Sequence, residues 1–292
     1  MMQQEKEVTG KRVQVTVSTF ALYDIVRAIG AEEVDVRMAI PFGVDVHSFE
    51  PTPQTIIKIK KSQFFLYSGA ELEPWIENLA VTENMYDMSQ YVQLRKITEH
   101  DDDDDDDHHD AHHHHHGSYD PHYWLDISNM RQLAQKIALM LVKADPAHEA
   151  DYVRRAADYI EALEKLDKAY QNSLKECQVH EVIVHHNILG YVAPRYGFEV
   201  ETLTGLSPDA LADAQTMARL SREIRSKKID VIFFESFVSD RLMQSLAKEN
   251  GIRLDYLEPL ANITAEQAEK HMSYSDGMYE NLEKLTAAMR CE

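Results

Sequence analysis

The sequence predicts an α/β protein of two lobes, each a parallel sheet covered by helices, joined by one long spine helix. Two observations carry this reading. Short apolar, β-branched runs alternate with amphipathic stretches, once before residue 145 and again after residue 178, as parallel strands with crossover helices require. Between the two series, "EADYVRRAADYIEALEKLDKAYQNSLKEC" has helical periodicity and no internal glycine or proline. The expected division is a first lobe over 1–145, a linking helix over 146–177 and a second lobe over 178–292.

In the first lobe, "RVQVTVSTF" (12–20) reads as a strand and "STFALYDIVRAIG" as a helix, with Ser18 or Thr19 as N-cap and Gly30 as terminator. "VDVRMAI" (34–40) is the next strand. "PTPQTIIKIKK" (51–61) is a helix with Thr52 as N-cap and Pro53 in the first helical position. "FFLYSG" (64–69) is a buried strand, "VQLRKI" (92–97) a weaker one, and a helix runs from about Ile127 to Lys143. On the spine, Val153, Ala156, Ile160, Leu163, Leu166, Tyr170 and Leu174 recur every three or four residues. A helix of about 28 residues at 1.5 Å per residue spans about 40 Å. The second lobe repeats the pattern: strand 181–186, helix through "NILGYVAPRYG", strand 198–204, and helix from about Pro208 to Lys227. Strand 229–236, helix 239–249, strand 252–257 and a last helix over about 273–290 complete it.

The 292 residues, 44% of them hydrophobic, suffice for a sizeable core. The net charge is −20, of which the aspartates at 101–107 and 110 supply eight, leaving −12 on the rest. An acidic surface argues against nucleic acid, which needs clustered Lys and Arg, and suits a protein that meets cations. No apolar run approaches the roughly 18 residues of a membrane span, so no insertion of this chain into a membrane is expected. The polar start, "MMQQEKEVTGKRVQ", has no signal-peptide core: the protein is cytosolic, or the numbering begins after a removed signal. Cys177 and Cys291 form no CxxC motif. They read as two free thiols or, in an oxidising compartment, as one disulfide joining the start of the second half to the C-terminus.

Four segments place a ligand-type side chain where a strand ends or a helix begins. His47 lies in "PFGVDVHSFEPTP", His122 in "YDPHYWLD", His186 in "VIVHHNILGY" and Glu258 in "LDYLEPL". Open α/β sheets bind ligands beyond the carboxyl ends of their strands, so all four would face one cleft between the lobes. Three imidazoles and a carboxylate suit zinc, whereas calcium and magnesium prefer oxygen. Asp120 and Glu235 are candidates to accept the second N–H of a ligand histidine. Tyr123 and Trp124 read as packing residues, His180 and His271 as surface residues, and Glu50 as an acceptor near the start of helix 52–61.

The words "GVDVHSFEPTP", "DPHYWLD", "HHNILGYVAPRYG", "GLSPDA", "FFES" and "LEPL", in this order, resemble the zinc- and manganese-binding receptor proteins of ABC metal importers. The resemblance covers the chain from about residue 12. It implies a metal held between two lobes joined by a long helix. It makes His47 the first histidine ligand and His122 the second. The third stands four residues before the glycine of a "GY" pair, which selects His186 over His185. Glu258 falls where the family has an acidic fourth ligand, often Asp, and a water is the alternative. Val46 stands where the family often has Pro or, in some zinc members, Glu. The resemblance also implies a periplasmic monomer whose signal peptide has been removed, an ABC permease as partner and Zn²⁺ as cargo, with Mn²⁺ as alternative. An extracellular lipoprotein is the lesser reading, since no cysteine stands near the start.

The stretch "HDDDDDDDHHDAHHHHHGSYDPH" (100–122) has nothing apolar to bury and cannot fold alone. Zinc members of the family carry such a loop before the second ligand. His100, His108, His109, His112, His113, His114, His115 and His116 would bind zinc weakly, being mostly neutral at pH 7. The plainer reading of the loop (100–117) is a solvating acidic linker. Competing functions are a manganese or iron receptor, a metal buffer or adhesin, and a zinc hydrolase. The last lacks an HExxH motif and an evident general base, so the chain is not expected to be an enzyme.

Overall fold

The computed structural model describes residues 12–79, 83–97, 118–206, 214–235 and 241–292. The first lobe holds a parallel sheet of β1 (Val13–Val17), β2 (Val34–Met38), β3 (Phe64–Tyr67) and β4 (Met85–Asp87) in the order β2-β1-β3-β4. Helices α1 (Phe20–Gly30), α2 (Pro53–Lys61) and α3 (Ile127–Ala144) belong to it. The second lobe repeats the topology with β5 (Glu181–Val184), β6 (Glu199–Thr202), β7 (Val231–Glu235) and β8 (Arg253–Leu257), all parallel, in the order β6-β5-β7-β8. Between the lobes runs α4 (Glu149–Ser173). Helices α5 (Val192–Tyr196), α6 (Ala214–Lys227), α7 (Arg241–Asn250), α8 (Ala265–Glu269) and α9 (Tyr274–Met289) follow.

Local chemistry accounts for most boundaries. Thr52 caps α2, its side chain accepting from Thr55 N at 3.2 Å, with Pro53 in the first turn. Glu50, expected as an acceptor near the start of this helix, is exposed. Gly30 ends α1, but not by a left-handed turn: Ala31 takes the positive φ of 42°. Gly30 is needed because a Cβ there would meet the Val34 side chain at 2.5 Å. The α1 cap expected of Ser18 or Thr19 is absent, because both hydroxyls are engaged with Ser68 of β3's end, at 3.1 and 3.0 Å.

The fourth strand of the first sheet is β4, not 92–97. The backbone of 92–97 is met by side chains: Gln93 exchanges two bonds with Asn129, and Arg95 N donates to Tyr191 Oη. A lone bridge, Lys96 to Tyr119, is all the β-pairing this segment shows. Helix α8 went unanticipated, although "TAEQ" is a capping box in which the Thr264 and Gln267 side chains each meet the other's backbone N–H.

The spine α4 is 25 residues long and packs on α1 and α3 of the first lobe and α9 of the second. Its buried stripe is Tyr152, Ala156, Leu163, Leu166 and Tyr170; Val153, expected on that face, is 55% exposed. Tyr159 Oη donates to Asp24 of α1 at 3.0 Å, and Tyr170 Oη to Met278 O of α9 at 2.7 Å. One apolar cluster runs from Val15 and Phe20 through Trp124 and Leu163 to Phe233, Leu260 and Tyr274, so the lobes share a core. A second cluster packs α6 and α7 on the second sheet through Ile183, Leu220, Ile232 and Leu246. Cys177, just past α4, is disulfide-bonded to Cys291 at the chain's end. No helix among the described residues is long and apolar enough to cross a membrane.

Candidate metal centre

His47, His122 and His186 converge. One ligand nitrogen of each lies within 4.8 Å of the others, and His122 and His186 are buried. His47 rides on the irregular loop between β2 and α2. His122 opens a single 3₁₀ turn before α3, and His186 follows the end of β5. Ring centroids are separated by 5.5 Å (His47–His122), 5.6 Å (His47–His186) and 5.1 Å (His122–His186). The Nε2 atoms of His122 and His186 are 3.2 Å apart. A tetrahedron with arms of about 2.1 Å has edges of roughly 3.4 Å, so the pair already spans one edge of a zinc shell. Burial and the neighbouring imidazoles hold His47 and His186 well below the usual histidine range, so both are neutral at pH 7 with lone pairs available.

Carboxylates back two of the rings. His122 Nδ1 is 2.9 Å from Asp120 Oδ1, which also accepts from His122 N at 3.0 Å. Asp120 Oδ2 pairs with Arg95 Nη2 at 3.2 Å, and Asp120 O accepts from Tyr191 Oη at 2.7 Å. A Cβ on Gly190 would stand 2.3 Å from Asp120 Oδ2, which is the physical reason for a glycine before Tyr191. His186 Nδ1 contacts Glu235 Oε1 at the end of β7, and burial pushes the Glu235 carboxyl up to about 8. His185 also lies within reach of Glu235 and His186. Trp124 packs edge-on 5.5 Å from His122 and donates to Pro259 O at 2.8 Å, and Tyr123 is buried beside it.

Glu258 is not drawn into the histidine cluster. Asn281 clamps its backbone on both sides at 2.8 Å, and Gln267 Nε2 donates to its Oε1 at 2.6 Å. Its carboxyl, raised by burial, lines a separate cleft with Phe234, Tyr256 and Lys270. A third grouping, Glu181, Glu201 and Glu223, is tied up by Lys227 and Arg219 and forms an ion-pair network. The loop histidines from His100 to His116 lie outside the described residues. Arg95 and Gln267 carried no signal in the sequence: neither stands in a spacing that marks a ligand's partner.

Fold and cluster together define a two-lobed α/β binding protein with three imidazoles gathered between its lobes. The family model described as "Zinc-uptake complex component A periplasmic" matches residues 15–288, and the chain belongs to that family. It is 31% identical over 281 residues to the high-affinity zinc uptake system protein ZnuA of Bacillus subtilis, covering 94% of this chain and 87% of that protein. It is 28% identical over 287 residues to the zinc-binding lipoprotein AdcA of Streptococcus pneumoniae, covering 96% of this chain but 56% of that longer protein. The crystal structure of the Zn(II)-bound ZnuA-like domain of the same AdcA superposes with a TM-score of 0.77 at 26% identity, covering 96% of this chain and 99% of that one.

Proposed function

We propose that this protein is the zinc-capturing receptor of an ABC-type importer, binding one Zn²⁺ through His47, His122 and His186 and delivering it to a membrane permease. The observation that carries the reading is the gathering of three imidazoles, neutral at pH 7 where their shifts are resolved and backed by Asp120 and Glu235. Nitrogen donors favour zinc over manganese. The fourth position belongs to water, or to Glu258 once it leaves Gln267. Family membership and the zinc-bound relatives support an exported protein, periplasmic or held at the cell surface. Binding and release, rather than catalysis, suit a site whose backing carboxylates, Asp120 and Glu235, face histidine nitrogens.

Equilibration with equal zinc and manganese, then elemental analysis, tests this. One zinc per chain is expected, lost in the triple variant of His47→Ala, His122→Ala and His186→Ala; recovery of manganese sinks it. The segment 100–116 is assigned to weak auxiliary capture, so its deletion should remove weak sites in a zinc titration and leave the tight one.

A further inference from the structure

His47 belongs to the first lobe by sequence, and Phe42 and Phe49 of its loop pack there on Tyr23 and Trp75, yet the loop is also bonded to the second lobe. Between β2 and α2 that loop has no regular structure; within it Val44 N donates to Pro41 O at 3.2 Å and His47 N to Asp45 Oδ1 at 2.8 Å. Three further bonds come from the segment after β8. Asn262 Nδ2 donates to both Pro41 O and Val44 O at 2.8 Å, and Gly43 N donates to Ile263 O at 2.9 Å. Asn262 is 1% exposed, and its Oδ1 accepts from Ile263 N at 2.9 Å, which fixes the amide's orientation. The same segment accepts from Trp124 Nε1 at Pro259 O and from Phe20 N at Ala261 O, so it also bonds to the turn after His122 and to the start of α1.

We propose that Asn262 is a positioning residue of the metal site: acting from the second lobe, it holds the His47 loop in register with His122 and His186. This rests on the zinc-binding reading above. A buried amide that spends both its protons on two carbonyls of one loop has no slack, and its loss removes two of the three bonds that the segment after β8 makes to that loop. Seating the lobes and seating the His47 imidazole then become one event. Loss of the tether lets His47 swing away from the ion, and zinc leaves faster.

The test is a double-mutant cycle on the full chain: the parent protein, Asn262→Ala, His47→Ala and the combination, each titrated with zinc against a chromophoric chelator. Asn262→Ala should weaken zinc binding about tenfold, equivalent to about 1.4 kcal/mol. In the His47→Ala background the same substitution should change nothing. The Co²⁺-loaded Asn262→Ala protein should also lose intensity in its visible bands as the site departs from a tetrahedron. Unchanged affinity in Asn262→Ala, or an equal loss in both backgrounds, overturns the proposal. If His47→Ala binds zinc as the parent does, the ligand assignment itself fails; weak binding by His47→Ala with a silent Asn262→Ala removes only the tether. Should circular dichroism show Asn262→Ala unfolded, Asn262→Ser, which keeps one donor, replaces it in the same cycle with the same deciding outcomes.

Discussion

Three contacts set the proton count of the site. His122 Nδ1 lies 2.9 Å from Asp120 Oδ1, so a proton held on Nδ1 leaves the Nε2 lone pair facing the site. With that tautomer, His186 Nε2, 3.2 Å away, carries the proton of the contact and its Nδ1, facing Glu235, carries none. Burial pushes the Glu235 carboxyl up to about 8, so it is mostly protonated at pH 7 beside His186. When zinc takes the Nε2 lone pair of His186, the ring proton belongs on Nδ1 and Glu235 becomes a carboxylate beside a dication. Calorimetry at pH 7 in buffers of different ionisation enthalpy should therefore show about one proton released per zinc. Affinity should climb about tenfold per pH unit up to pH 8 and level above it, since the proton is bound only in the metal-free state. Glu235→Gln, with no proton to lose, should flatten that slope and weaken zinc about 10–100-fold. A flat profile in the parent protein removes the assignment. The three histidines were legible because each stands in a distinctive word at an element's end. Asn262 and Gln267 were not, because a buried amide's value depends on which carbonyl or carboxylate the fold brings to it.

At the scale of elements, periodicity located α4 but not the side it turns inward. The apolar positions at three- and four-residue steps are compatible with either Val153 or Tyr152 facing inward; Tyr152 is the buried one, its Oη donating to Asp145 at 2.9 Å, and Val153 is exposed. Leu163→Ala should cost about 2–5 kcal/mol in urea unfolding, being fully buried between the lobes, while Val153→Ala should stay within about 0.5 kcal/mol. Equal costs would place the stripe elsewhere. Strand β4 was missed for a related reason: at three residues it is too short to show alternation, whereas "VQLRKI" alternates well but finds Asn129 and Tyr191 as partners in place of a sheet edge. The cap read correctly at Thr52 and Pro53, where only neighbours in sequence compete for the hydroxyl, and failed at Ser18 and Thr19, where distant Ser68 takes it.

For the molecule as a whole, the repeated strand order was visible as a repeated alternation, but the joining of the lobes was not. Sequence offered a stiff helix between two bodies; the structure adds a shared apolar core from Phe20 to Tyr274 and the anchoring of the His47 loop by the second lobe. Wide jaw-like opening would expose that core, so metal exchange belongs to the loops at the cleft. The Cys177–Cys291 bond has a further consequence. Everything from Gln178 to Arg290 becomes a closed ring attached to the rest of the chain at one knot. A protease that nicks this ring once should leave a species that migrates as a single chain on a non-reducing gel and falls into two pieces only after a thiol is added. Two pieces without the thiol would mean the ring is open.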